Sequence, residues 1–325
     1  FHHDLYRGVG RGRFWVMEQQ PGPVNWAPWN PEPKPGMVRL WTWEALAHGA
    51  ETVSYFRWRQ ATSAQEQMHA GLNLAGLHEL SRGGEEAKRV ADELKSIGTL
   101  PQSRKARVAL VYDYEASWIT RIQPQGADYS FVEIMFRWYE AARRLGLDID
   151  VVPPAAPLED YALILVPCLP HVSDAAARAF ENAKGIILFG PRIGSKTRDF
   201  KISPGLPPGP LRDLLGFRVL AVSSLRPGVS APVHGTIKGT IIKWRERVEC
   251  VEEVHIVSRF EDETPAFVRK DKALTLLGLP DEALLSSLMA YAVKSAGLEP
   301  HPVPETIRLR RRGDLLFVFN YGDAP

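Results

Sequence analysis

The stretch Phe14–Trp26 reads FWVMEQQPGPVNW. A short apolar run ends in the carboxylate of Glu18, and two amides, a Pro-Gly turn and an aromatic residue follow at once. This pattern predicts a buried strand with Glu18 at its C-terminal end, which is where (β/α)8 barrels carry their chemistry. A carboxylate on an apolar strand is costly unless it is paired or functional. Glu18 is therefore expected to be either a salt-bridge partner of Arg57 or Arg59 or a site residue.

A second unit of the same kind follows along the chain. Residues 52–58 read TVSYFRW, a composition typical of a strand. Helices are predicted over Met37–Ala47 and Glu85–Ile97, and each is followed by a glycine. Because long loops follow both strands, residues 1–103 are expected to form the last two βα units of a (β/α)8 TIM barrel. Two units cannot close a barrel alone.

Residues 104–299 predict a separate α/β domain. Three continuous apolar runs are typical of buried parallel strands, and an amphipathic helix over Tyr129–Leu145 separates the first two of them. The runs are Arg107–Tyr112, Ala162–Pro167 and Gly185–Gly190. The alternation predicts a doubly wound, glutamine-amidotransferase-like sheet.

Residues 300–325 alternate and turn at Arg312–Asp314, which predicts a β-hairpin beginning a small all-β domain. The run Arg310–Arg312 is interpreted as solvated charge at that turn.

The composition of the chain excludes few classes of function. The chain of 325 residues has 40 Lys and Arg against 38 Asp and Glu, so a net charge of +2 gives no argument for nucleic acid. No apolar run approaches the length of a membrane span. Cys168 and Cys250 show neither metal-binding nor disulfide spacing. A reduced, cytoplasmic setting fits these two cysteines. The chain starts with Phe1 and stops after a strand-like run, so it is expected to be part of a longer polypeptide.

Further candidates follow the second strand. Glu66 and His69 are three residues apart, so on a helical turn they face the same way and can bind adjacent sugar hydroxyls. A metal ion would need a third ligand in addition to Glu66 and His69. The alternative to a binding role is that both residues lie in a solvated turn. Six of the nine tryptophans lie before residue 104, which suits a carbohydrate site, although tryptophans also fill barrel cores.

Two further segments resemble known kinds of site, a nucleophilic cysteine and a phosphate loop, but each lacks the sequence motif of that site. Cys168 follows an apolar strand, where an amidotransferase would carry its nucleophile, but no Gly-x-Cys-x-Gly surrounds it. A buried inert thiol is predicted. The segment 190–194 lacks the Gly-x-Gly-x-x-Gly pattern of a phosphate loop and is interpreted as an ordinary turn.

Several short motifs, in order and at matching spacing, resemble family 42 of the glycoside hydrolases. They are Met17–Gly22, Asn25–Trp26, Trp41, Ala47–Ala50, Tyr55–Arg59 and Glu66–His69. The resemblance covers the whole chain. It implies the end of a catalytic barrel, then a trimerisation domain, then the start of the C-terminal β domain.

The resemblance also implies roles. Glu18 matches the family's nucleophile, Trp26 and Phe56 match aromatics that line the galactose subsite, and Glu66 and His69 match a pair that binds galactose hydroxyls. The family's acid/base Glu and its zinc-binding cysteines would lie upstream of Phe1. Arg57 or Arg59, as a neighbouring cation, is expected to keep Glu18 ionised.

The implied function is that of a retaining β-galactosidase without a cofactor, a homotrimer through residues 104–299. Its partners would be a galactoside or oligosaccharide substrate, with no nucleic acid and no membrane. The chain alone is expected to be inactive. One alternative is a non-catalytic assembly fragment of such an enzyme. The other is a related glycosidase that acts on α-L-arabinosides.

Overall fold

The computed structural model describes residues 1–322, which divide into two compact units. The first unit comprises residues 2–105 together with 306–322. The second unit comprises Phe1 together with residues 106–305.

The first unit begins with a short helix and then alternates strand and helix. Its elements are α1 (His2–Val9), β1 (Phe14–Gln19), α2 (Met37–Ala47), β2 (Ala50–Tyr55) and α3 (Arg82–Ile97). β1 and β2 are parallel, with Phe14 beside Ala50 and Gln19 beside Tyr55. Both strands therefore end at the same edge of this two-stranded sheet. The sequence predicted both strands and the two longer helices, but not α1.

A small apolar core holds these elements together. Trp43 and Leu46 of α2 pack with Val90 of α3, and the half-buried Val53 of β2 lies against them. On the other side of α2, Ala45 packs against Phe14 of β1. Residues of α2 are buried in both clusters, so the helix is fixed against the strands and against α3.

The second unit is built on a single mixed sheet. Its elements are β3 (Val108–Val111), α4 (Tyr114–Ile122), α5 (Phe131–Arg144), β4 (Ile149–Val152), β5 (Leu163–Val166), α6 (Asp174–Asn182), β6 (Ile186–Phe189), a 3-10 turn (Gly209–Leu211), α7 (Arg212–Leu215), β7 (Phe217–Ser224), β8 (Ser230–Gly235), β9 (Gly239–Cys250), β10 (His255–Phe260), β11 (Pro265–Lys270), β12 (Ala273–Leu276), β13 (Gly278–Pro280) and α8 (Glu282–Ser295).

The sheet has a parallel and an antiparallel part. The neighbours β4, β3, β5, β6 and β12 run parallel, and β3, β5 and β6 are the three strands that the continuous apolar runs predicted. From β12 the sheet continues through antiparallel pairs in the order β11, β10, β8, β9 and β13, with β7 also paired to β9. The α/β class is therefore confirmed, with a mixed sheet.

The hairpin near the end of the chain consists of β14 (Ile307–Arg312) and β15 (Leu315–Asn320). It belongs to the first unit, where Phe319 joins the core around Trp43. The interpretation of the arginine run as solvated turn charge is wrong for Arg310 and Arg312, whereas Arg311 is exposed. Arg310 is 1% exposed and Arg312 is 9% exposed. Arg312 lies in β14 and donates to the Pro101 carbonyl at 2.7 Å, so the fold uses it as an internal donor.

Between residues 1 and 322, every helix is too short or too polar to cross a membrane.

Candidate active site

Glu18 lies near the end of β1 with its carboxylate exposed. Gln20 Nε2 donates to Glu18 Oε1 at 2.7 Å. Among residues 1–322, neither Arg57 nor Arg59 forms an ion pair with Glu18, so the salt-bridge alternative is wrong, and each guanidinium contacts another side chain. The carboxylate is held by a neutral amide instead.

His69 is brought to the same edge of the sheet by the turn that follows β2. It is 2% exposed, and its Nε2 is hydrogen-bonded to Gln20 Oε1. The edge of the imidazole meets the Phe56 ring, with centroids 5.1 Å apart and planes at 64°. The Phe56 amide donates to the Gln19 carbonyl at 3.2 Å, which joins the end of β2 to the end of β1.

Glu66 faces a cation rather than His69. Its Oε2 forms an ion pair with Arg57 Nη2, and the Arg57 guanidinium lies 4.4 Å from the centroid of the Phe56 ring. Glu66 is half exposed whereas His69 is buried, so the two side chains contact different partners. Arg59 is directed elsewhere, with Nη2 3.0 Å from His78 Nδ1.

Two glycines allow the loops of the site to approach closely. A Cβ on Gly83 would lie 1.7 Å from the Pro21 carbonyl oxygen, so only glycine lets the loop after β1 rest on the start of α3. A Cβ on Gly71 would lie 2.3 Å from the Gln60 amide nitrogen. The Ala70 amide donates to the Pro23 carbonyl at 3.0 Å and ties the two loops together.

Trp26 lies in the loop after β1 and is 71% exposed. Its neighbour Asn25 donates from Nδ2 to the Gln65 carbonyl at 2.8 Å, which attaches this loop to the turn carrying Glu66. Of the six tryptophans before residue 104, four are exposed, Trp41 is half-buried and Trp43 is buried. The four exposed ones are Trp15, Trp26, Trp29 and Trp58.

Gln20 is the contact residue that the sequence reasoning missed. It bridges Glu18 and His69, which are 51 positions apart along the chain. The sequence shows that Gln20 follows Glu18 by two residues. It does not show that His69 lies on the other side of the Gln20 amide. The partnership of Arg57 with Glu66 was missed for the same reason.

A second candidate position, Cys168, lies just after β5 in the second unit. It is 2% exposed, and Tyr129 Oη donates to its Sγ at 3.4 Å. Burial raises the pKa of the Cys168 thiol to about 11. The predicted inert buried thiol is therefore what the structure shows. Within the described residues, no group of three or more His, Cys, Asp or Glu side chains could hold a metal ion.

The sequence matches two family models. The model described as β-galactosidase of glycoside hydrolase family 42 matches residues 1–97. The model described as the β-galactosidase trimerisation domain matches residues 106–299. The chain belongs to glycoside hydrolase family 42, whose models carry these descriptions.

Individual relatives agree with this assignment. The β-galactosidase BgaA of a Thermus species is 56% identical over 323 residues, which cover 99% of this chain and 50% of that protein. The β-galactosidase BgaH of Haloferax lucentense is 35% identical, covering 100% of this chain and 50% of that protein. The crystal structure of the β-galactosidase from the psychrophilic Marinomonas ef1 matches with a TM-score of 0.93 at 43% identity, over 99% of this chain and 50% of that one. The chain thus spans about half the length of these relatives.

Proposed function

We propose that this chain is part of a retaining β-galactosidase, which hydrolyses terminal, non-reducing β-D-galactosyl residues. Glu18 acts as the nucleophile. The observation that carries this proposal is the meeting of Glu18, Phe56 and His69 at one edge of the β1–β2 pair, joined through Gln20. Membership of family 42 supports it.

The chemistry follows from the state of the Glu18 carboxylate. One oxygen accepts a hydrogen bond from Gln20, and the side chain is exposed, so Oε2 can reach a substrate. Attack of this oxygen on the anomeric carbon forms a covalent galactosyl-enzyme and breaks the bond to the leaving oxygen. A second carboxyl group must protonate that oxygen and then activate water. We propose that this acid/base glutamate belongs to the part of the full-length enzyme that this chain does not include.

The proposed sugar-binding roles follow from the chemistry of the side chains near Glu18. Trp26 and Phe56 provide flat aromatic faces for the apolar side of a sugar ring. Glu66 provides carboxylate oxygens to accept from hydroxyl groups, with Arg57 holding it. The role proposed for His69 is supported by the resemblance to family 42 alone, because its Nε2 is bonded to Gln20 and its Nδ1 is buried.

The finer architecture belongs to the same proposal. Residues 1–103 are the last two βα units of a (β/α)8 TIM barrel, and the parallel pairing of β1 with β2 supports this. Trp15 and Met17 of β1 are exposed, as expected where neighbouring barrel strands would cover them. Residues 104–299 are the doubly wound, glutamine-amidotransferase-like domain.

Residues 300–325 are proposed as the start of the C-terminal β domain. The pairing of β14 with β15 supports this, and residues 323–325 lie outside the described part.

A homotrimer through the second unit is the proposed assembly. The match of residues 106–299 to a trimerisation-domain model supports it. Along α4, Tyr114, Trp118 and Ile122 recur every fourth residue and are each about half exposed or more. Large aromatic and apolar side chains in such a stripe are typical of interfaces. A cytoplasmic location, without cofactor, nucleic-acid or membrane partner, completes the proposal.

Trapping of the covalent intermediate tests the nucleophile. The full-length enzyme containing this chain is incubated with a 2-deoxy-2-fluoro-β-galactoside that carries a good leaving group. We expect one sugar per active site, attached to Glu18, identified by mass spectrometry of the peptide. A Glu85→Gln variant serves as control because Glu85 is an exposed carboxylate at the start of α3. Labelling of another carboxylate would overturn the assignment.

The alternative functions predict different results. If the chain is a non-catalytic assembly fragment, its full-length parent also fails to turn over a chromogenic β-galactoside. If the enzyme is a related glycosidase, an α-L-arabinoside is hydrolysed with the higher kcat/KM. We expect the 325-residue chain alone to be inactive, because the acid/base glutamate lies elsewhere.

A further inference from the structure

Gln20 lies between the two residues with the clearest proposed roles. Its Nε2 donates to Glu18 Oε1 at 2.7 Å, and its Oε1 is bonded to His69 Nε2. We propose that Gln20 is a positioning residue for the reaction, which fixes the Glu18 carboxylate and the tautomer of His69 together. This inference rests on the proposed role of Glu18 as nucleophile.

The direction of the two hydrogen bonds follows from the chemistry of the partners. A carboxylate can only accept, so the amide NH₂ of Gln20 must face Glu18 and its carbonyl oxygen must face His69. The carbonyl oxygen can only accept, so His69 Nε2 must carry the proton. The carboxylate at one end thereby determines the proton position at the other.

The opposite nitrogen of His69 agrees with this assignment. His69 Nδ1 is buried and has no hydrogen-bond partner. A proton on that nitrogen would be a buried donor without an acceptor, which is costly. The tautomer with the proton on Nε2 leaves only an acceptor there. The Phe56 ring packs against the imidazole in a T-shaped contact and limits its rotation.

The same bridge distinguishes the two oxygens of Glu18. Oε1 is occupied by the Gln20 amide, so the attacking oxygen is Oε2. A neutral amide orients the carboxylate without the competing full charge that an arginine would bring. The amide of Gln20 donates to the carboxylate from its nitrogen and accepts from the imidazole at its oxygen, so one uncharged side chain serves both partners.

Three variants of the full-length enzyme test the proposal. Gln20→Met keeps the length of the side chain and removes both hydrogen bonds, and we expect kcat to fall about 10- to 100-fold with a smaller change in KM. Gln20→Asn is too short to reach both partners, so we expect only partial recovery of kcat. Gln102→Met is the control, because Gln102 is exposed and lies outside these loops.

The variant Gln20→Glu tests the proposal through the pH dependence of kcat/KM, which would not change if Gln20 only supported the fold. Its carboxylate would lie against Glu18 and oppose ionisation of that group. We expect the acid limb of the kcat/KM profile to move up by about one pH unit. Wild-type kcat in Gln20→Met, or an unmoved acid limb in Gln20→Glu, would overturn the proposal.

A crystal structure of the ligand-free full-length enzyme and of its Gln20→Met variant separates this proposal from the function itself. We expect Gln20 to bridge Glu18 and His69 in the wild type, and the Glu18 carboxylate to rotate in the variant. If the bridge is present but no β-galactoside is hydrolysed, the proposed function fails and the geometry stands. If galactosides are hydrolysed and the bridge is absent, the positioning role fails alone.

Discussion

Glu18 and Cys168 occupy comparable places in two different sheets, each at the C-terminal end of a parallel strand. The surroundings separate them. Glu18 is exposed and its partner is the neutral amide of Gln20. Cys168 is buried beneath Tyr129, and burial raises the pKa of its thiol to about 11. The position at a strand end is therefore not sufficient for chemistry, because access and charge state decide what the residue can do.

The arginines near the two positions differ in the same way. In the second unit, Arg192 is 2% exposed and donates to the carbonyls of Gln123 and Pro124 at 2.8 and 2.9 Å. Its guanidinium also lies 4.8 Å from the Tyr129 ring centroid, so it helps to seal the strand edge. In the first unit, Arg57 pairs with Glu66, whose side chain is 51% exposed.

The first prediction removes the accessible carboxylate. In the full-length enzyme, Glu18→Gln should lower kcat at least about 10⁴-fold, because loss of a nucleophile leaves only binding and orientation. Steady-state turnover of a chromogenic β-galactoside measures it, with Glu85→Gln as the matched control. Wild-type turnover in Glu18→Gln would mean that Glu18, like Cys168, takes no part in the chemistry.

The second prediction removes the arginine that seals the other strand end. Arg192→Met should lower the free energy of unfolding of the second unit by about 3 kcal/mol. Two carbonyls lose their buried donor, and the buried carboxyl of Glu246 loses a nearby cation.

Denaturant unfolding, followed by tryptophan fluorescence, measures this change. Arg178→Met is the control because Arg178 is exposed on α6. A loss no larger in Arg192→Met than in the control would contradict the sealing role.

The third prediction concerns the exposed ion pair of the first unit. Arg57→Met should raise KM about 3- to 5-fold in the full-length enzyme, because a partly exposed pair contributes only modestly to holding Glu66. The expected change in kcat is smaller. The kcat and KM of Arg89→Met, an exposed position on α3, provide the comparison. An effect on kcat alone would mean that Arg57 acts on the reacting group rather than on binding.

The fourth prediction concerns the two thiols. At pH 8, an alkylating reagent should modify the exposed Cys250 and leave Cys168 unmodified. The pKa of Cys168 is about 11, so its thiol stays protonated until the pH approaches that value. Peptide mapping after alkylation measures both positions, and both should react in denaturant. Rapid alkylation of folded Cys168 at pH 8 would show that its strand end is open.

The same raised pKa links stability to pH. The folded state keeps the Cys168 proton up to about pH 11, whereas the unfolded thiol loses its proton near its ordinary pKa of 9.0. The unfolded state is therefore favoured as the pH rises from about 9 toward about 11, so this group lowers stability across that window.

Local pattern was sufficient for most elements. The helix over Met37–Ala47 was predicted with the bounds that the structure has, and β1 extends only one residue past the predicted end. These segments are set by short-range spacing of apolar residues and by glycine stops, which the chain displays directly. The helices α1 and α4 were not predicted.

Charge placement was less predictable than secondary structure. Three consecutive arginines near a turn were predicted to be solvated, yet the side chains of Arg310 and Arg312 are buried in β14. Arg57 and Arg59 were expected beside Glu18, and both face other partners. An ion pair or a buried hydrogen bond depends on groups far apart in sequence, and the spacing of residues along one strand does not specify them.

The sequence alone determined the α/β class, the main strands and helices of both units and, through its motifs, the resemblance to family 42. It did so because apolar periodicity, turn residues and short motifs are local properties. Only the tertiary structure decided that Gln20 joins Glu18 to His69, that Glu66 pairs with Arg57, and that Arg310 and Arg312 are buried. Each of these depends on loops that fold back onto a strand end, so distance in space rather than spacing in sequence sets the contact.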